Sequence, residues 1–116
     1  MTNLERLKME IKGVDSPNDE LIIYLMENEL VDTDEYDAKS KTNLKQIYQT
    51  ALSVLEGIAN DPTKFKNYKS DDLSVSMFSK NLNERIDYLS RKIRLMPTDN
   101  DDDFTTGASI GYLFTE

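Results

Sequence analysis

The groups of this 116-residue chain that could do chemistry are nearly all carboxylates. Aspartate and glutamate number 22 against 14 lysines and arginines, giving a net charge of −8, and the chain has no histidine and no cysteine. Without histidine, the usual general base, the usual zinc ligand and every Ser-His or Cys-His nucleophile are missing. Without cysteine, neither disulfides nor thiolate metal sites can form. That leaves two kinds of carboxylate chemistry. One is glycoside hydrolysis, by two carboxyls roughly 5–10 Å apart across a sugar-sized cleft. The other is calcium binding through oxygen ligands.

Neither fits well. Asp71-Asp72 is an adjacent acidic pair near aromatics, here Phe65 and Tyr68, and a small helical domain offers it little cleft. Two Asp-rich stretches imitate an EF-hand loop, which wants a glycine at its sixth position and a glutamate at its twelfth. Counted from Asp32 those positions are Asp37 and Asn43, and counted from Asp99 they are Phe104 and Ile110. Both stretches therefore read as solvated acidic chain. No catalytic residue, cofactor site or metal site is expected.

Nucleic-acid chemistry fares no better. Residues 63–70 (TKFKNYKS) place Phe65 and Tyr68 between three lysines, a composition that can stack on bases. Phosphate binding depends on neutralising charge, however, and this chain is strongly acidic. The rings are better read as anchors that hold a loop to the body. Charge is also unevenly placed. Residues 1–40 carry four bases and eleven acids, net −7; residues 80–98 carry five and two, net +3; the segment from Asp99 carries five acids and no base.

The elements behind these residues are helical. Residues 42–60 (TNLKQIYQTALSVLEGIAN) organise the rest. At about 100° per residue, Leu44, Ile47, Tyr48, Ala51, Leu52, Val54, Leu55 and Ile58 fall within an arc of roughly 160°. Lys45, Gln46, Gln49, Thr50, Ser53 and Glu56 fill the remainder, and Asn60-Asp61-Pro62 stops the run. So wide a stripe calls for helices on both sides of it.

Before it, Thr2-Asn3-Leu4-Glu5 fits a capping box, and Leu4, Leu7, Ile11 and Val14 follow at helical spacing to a stop near Gly13. Ser16 as cap, Pro17 in the first turn and Asp19 and Glu20 behind it open a second helix over residues 17–30. Leu21, Ile22, Ile23, Tyr24, Leu25, Met26 and Leu30 point almost all round that cylinder. Either the helix sits deep in the bundle, or part of it is covered by another subunit, with Ile22, Ile23 and Met26 as the contact. Residues 31–41 are polar and acidic, a connection or an early extension of the central helix that Tyr36 could pin.

After it, Leu73, Val75 and Met77 alternate with small polar residues, which predicts a short extended segment. A last helix over residues 79–95 follows, with a seam of Leu82, Ile86, Leu89, Ile93 and Met96 and an i, i+4 pair, Asp87 with Arg91. Arg85, Arg91, Lys92 and Arg94 make a basic outer face. Pro97 ends the helix. Residues 98–103 form an acidic leash, and Phe104, Ile110, Tyr112, Leu113 and Phe114 form an apolar tail. Such a tail suits a strap that orders only against a neighbouring subunit or another partner.

The expected fold is thus all-α: a bundle of about four helices over residues 1–97, with a short extended segment before the last helix and an extended tail over 98–116. The expected core is Leu7, Ile11, Leu25, Leu44, Ile47, Ala51, Val54, Leu55, Ile58, Leu82, Ile86, Leu89 and Ile93. The start MTNLERLKMEIK lacks a signal-peptide core, and no apolar run approaches the roughly 20 residues a bilayer span needs, so an intracellular, soluble protein is expected.

The order of parts adds a resemblance. LERLKMEIKG, SPNDELIIYLMENEL, NLKQIYQTALSVLEGIAN and YKSDDLSVSMFSKNLNERIDYLSRKI together resemble the head–tail connector proteins of tailed bacteriophages, also called adaptor or head-completion proteins, over residues 4–96. The likeness is one of layout and helix pattern, with no invariant chemical signature, and the leash and tail after Pro97 fall outside it. It implies a non-enzymatic structural virion protein, made in the cytoplasm of the bacterial host. Such a protein forms a ring between portal and tail that extends the DNA channel. Its partners would be the portal protein, neighbouring copies of itself and a tail-side or stopper protein, with DNA passing through unbound and no membrane involved. The acidic balance suits a channel wall that DNA must not stick to. The alternative reading is a small acidic helical interaction or regulatory module without catalytic activity.

Overall fold

A computed structural model describes residues 1–12, 14, 16–61 and 75–99, with the side chains of 75–78 excepted. Among the described residues the protein is all-helical: α1 (Asn3–Glu10), α2 (Asn18–Glu27), α3 (Lys41–Ala59) and α4 (Val75–Leu95). α3 is the hub. The other three helices all pack on it, and α1 and α2 also pack on each other.

α1 starts as its sequence dictates. The Thr2 hydroxyl accepts from the Glu5 amide at 3.2 Å, and the Thr2 amide donates back to the Glu5 carboxylate at 2.7 Å. Together these satisfy two of the donors that a helix start leaves without partners. The helix ends at Glu10, short of Gly13, which lies outside the described residues, and Ile11 serves as its C-cap.

α2 departs from expectation at both ends. Pro17, not Ser16, is the N-cap, and no side chain caps the helix. The Pro17 carbonyl instead accepts from Glu20 and Leu21. At the far end the helix stops three residues before Leu30 with a Schellman turn. The Leu30 amide reaches the Leu25 carbonyl at 2.9 Å, the Glu29 amide reaches that of Met26 at 3.0 Å, and Glu29 sits at φ 66°. Leu25 and Leu30, the two ends of that turn, are both buried.

The acidic stretch after α2 is a connection, not an extension of α3. It folds back over the start of α1, where the Asp34 and Asp32 carbonyls accept from the Asn3 and Leu4 amides at 2.9 and 3.2 Å. Asn3 is itself buried. Its side chain donates to the Val31 carbonyl at 2.9 Å and accepts from Asn43 at 3.2 Å, tying α1, the connection and α3 together.

The core comprises Leu7, Ile11, Leu21, Leu25, Leu30, Ile47, Ala51, Val54, Leu55, Ile58, Leu82 and Leu89, with Ile86 and Ile93 packed partly buried against it. Leu44, expected inside, is only half-buried, while Leu21 and Leu30 belong to the core without having been expected there. Thr50, placed by its angle on the polar arc, is completely buried, its hydroxyl donating to the Gln46 carbonyl at 2.7 Å. Gly57 is equally constrained: an added Cβ would collide with the Tyr24 hydroxyl.

The expected extended segment is corrected at Val75 and Met77, which are helical; Leu73 lies outside the described residues. In the sequence Val75, Phe78 and Leu82 also fall at helical spacings of three and four. Adding one more turn to a long helix takes less ordering than starting a lone strand with no ladder partner.

Candidate functional site

Two surface features and one polar network are where α1, α2, α3 and α4 bring chemistry-bearing or apolar side chains together. The network is a closed circuit. Arg6 and Glu10, one turn apart on α1, form an ion pair at 3.2 Å with both side chains largely buried. The other Glu10 oxygen binds Arg85 of α4. The Arg85 guanidinium lies 5.3 Å from the Tyr88 ring centre, and Lys92 lies 5.6 Å from the same ring and 4.9 Å from that of Tyr48 on α3. Arg6 closes the circuit at 6.0 Å from the Tyr48 ring, with Tyr36 on its other side at 5.4 Å. Cations over ring faces are attracted to the ring quadrupole, and here three helices are joined by alternating charges and rings.

This circuit also sets proton affinities. Burial works against the Arg6 charge, but its hydrogen bonds to Glu10 and then Tyr36 outweigh that and hold its pKa above the ordinary value. Lys92 is likewise raised, by the hydroxyls of Tyr88 and Tyr48. Arg6 and Lys92 therefore keep their charge at neutral pH.

Beside it a hollow of about 360 Å³ opens between α1 and α4, floored by Ile11, Leu55 and Leu82. Among the described lining residues Glu10 is the one carboxylate, and both its oxygens are held by arginines. It cannot act as a free base there. Among the described residues, no cluster of three or more acidic side chains is arranged to hold a metal ion.

The first surface feature is the outer side of α2. Leu21 and Leu25 fix the inner side of this helix in the core. Of the residues expected to make contacts, Ile23 and Met26 are 54% and 64% exposed, and Ile22 is half-buried. Phe104, Ile110, Tyr112, Leu113 and Phe114 lie outside the described residues, as do Phe65, Tyr68, Asp71 and Asp72. The second feature is the outer side of α4, where Tyr88 is 45% and Leu95 is 85% exposed.

A clamp that sequence reasoning missed joins the two ends of the fold. Ser40 caps α3 by accepting from the Asn43 amide at 3.1 Å. The same hydroxyl donates to the Asp99 carboxylate at 2.6 Å, whose other oxygen accepts from the Lys41 amide at 2.8 Å. The Asp99 amide in turn donates to the Thr42 hydroxyl at 2.8 Å. A carboxylate belongs at a helix N-terminus, where unpaired amides and the dipole favour negative charge. The Ser40 hydroxyl and then the Lys41 amide hold Asp99 below the usual aspartate pKa. Residues assigned to a free leash thus begin as part of the helical body.

No helix among the described residues is long and apolar enough to cross a membrane. Comparisons with known protein families, curated proteins and solved structures returned no match to this chain.

Proposed function

We propose that this chain is a structural connector of a tailed-bacteriophage virion, one copy of a ring that sits between portal and tail and extends the DNA channel. The observation that carries the reading is α2, a helix fixed to the core by Leu21 and Leu25 that turns Ile23 and Met26 outward to solvent. Exposing two large apolar side chains on a rigid helix is what an assembly surface requires. The sequence layout over residues 4–96 and the net charge of −8 support the same reading, since acidic walls repel the phosphates of passing DNA. The portal, neighbouring copies and a tail-side or stopper protein are its partners, its place is the virion, and its role involves neither catalysis nor a cofactor.

Binding to the portal tests this. Net charge keeps isolated copies apart, whereas a portal raises their local concentration. The purified chain is expected to be a monomer or small oligomer that co-sediments with the portal protein of the same phage. An Ile23→Asp, Met26→Asp variant is expected to keep its fold and lose that binding. A chain that stays monomeric and ignores the portal would overturn the connector reading in favour of the interaction module.

A further inference from the structure

The outer face of α2 has a complement on the same molecule, and we propose that α2 of one copy seats against the C-terminal half of α4 on the next. Ile23 and Met26 are flanked by exposed Asp19 and Glu27, and α2 contains no lysine or arginine at all. On α4, Tyr88 and Leu95 lie two turns apart on one side, among Arg85, Arg91, Lys92 and Arg94, with the one acid of this half-helix, exposed Asp87, paired to Arg91 at 3.3 Å. Each face is therefore an exposed apolar pair bordered by charge of one predominant sign, acidic on α2 and basic on α4. Both helices pack on α3 and share no extended contact with each other, so a copy does not cover its own α2 with its own α4.

The charges decide who the occupant is. Pairing α2 with α2 about a two-fold axis would set Asp19 and Glu27 against their own kind, and pairing α4 with α4 would bring together two faces that are both basic on balance. The chain's own apolar tail would bring Asp101, Asp102 and Asp103 towards an acidic helix. The crossed pairing alone places opposite charges around the apolar contact. A crossed contact between identical chains is heterologous: it leaves one free face at each end and closes into a ring or runs on as a filament. This deepens the connector reading and rests on it only in that copies of the chain assemble.

The absence of cysteine makes the test clean. Single cysteines are placed at Ile23 or Met26 in one sample and at Tyr88 or Leu95 in another, then mixed at high protein concentration and low salt under mild oxidation. The best α2–α4 pair is expected to cross-link at least about tenfold faster than the same α2 cysteine with Lys8→Cys, an exposed position on α1, and more slowly as salt screens the rim charges. A chain carrying both cysteines should give a ladder of multimers. Cross-linking of Ile23→Cys to itself at the mixed rate would overturn the proposal, as would a yield no higher than the Lys8 control. So would an α2–α4 cross-link that forms only in a chain ending at residue 103, which would assign the α2 face of the full chain to the tail. A ladder in solution without a ring on the portal would refute the connector reading and keep this contact. A ring whose α2 and α4 cysteines do not react would do the reverse.

Discussion

The Asp99 carboxylate accepts a 2.6 Å hydrogen bond from the Ser40 hydroxyl across 59 residues of sequence, so the chain leaving α4 is fastened to the start of α3. The pKa of Asp99 is depressed, so its charge stabilises the fold in full well above the ordinary aspartate value. That contribution is lost as pH falls through the lower folded value. Asp99→Asn should therefore melt lower than the parent above roughly pH 5, with the gap closing as pH drops below about 3.9. Parallel melting curves from pH 3 to 8 check this. A gap that is constant across the range would mean that the carboxylate charge is irrelevant.

Gly57 and Tyr24 are predicted to be coupled. Alanine in a helix interior is favoured over glycine by about 0.5–1 kcal/mol, yet a Cβ at Gly57 meets the Tyr24 hydroxyl. Gly57→Ala alone should be neutral or destabilising, while the same change in a Tyr24→Phe background should recover most of that propensity gain. A double-mutant cycle by chemical denaturation measures the coupling. Additive effects would place the ring elsewhere.

Glu10 and Asp87 separate an enclosed ion pair from an open one. Glu10→Gln leaves Arg6 and Arg85 without their shared carboxylate and should cost about 1–3 kcal/mol. Asp87→Asn removes an exposed i, i+4 partner of Arg91 and should cost no more than about 0.5 kcal/mol. Urea denaturation resolves the difference, and equal costs would show that the circuit of charges and rings adds nothing to its individual pairs.

Glu29 occupies the left-handed position of the turn after α2. A β-branched residue there is strained by more than about 1 kcal/mol, whereas glycine relieves the strain at some entropic cost. Glu29→Val should therefore lower the melting temperature and Glu29→Gly should hold or raise it. Identical melting of the two variants would contradict the turn geometry.

What the sequence disclosed was what is local. Thr2 and Glu5 lie three residues apart and their capping box could be read directly, as could the stripe of α3 and the seam of α4. Thr50 was misplaced because angle alone does not see that a small hydroxyl can satisfy itself on the preceding turn. The alternation through Leu73, Val75 and Met77 was read at period two, although Val75, Phe78 and Leu82 also fit the helical period. Asp99 was read as leash because its partners lie 57 to 59 residues away, a distance no pattern spans. At α2 the apolar residues run all round, so only the docking of Leu21 and Leu25 decides that Ile23 and Met26 face out.

Assembly of these copies beneath a portal can be seen by electron microscopy of purified portal incubated with the chain. A closed ring of added density is expected on the tail-facing end of the portal, present with the parent chain and missing with the Ile23→Asp, Met26→Asp variant. Bare portals with the parent chain at saturating concentration would contradict it.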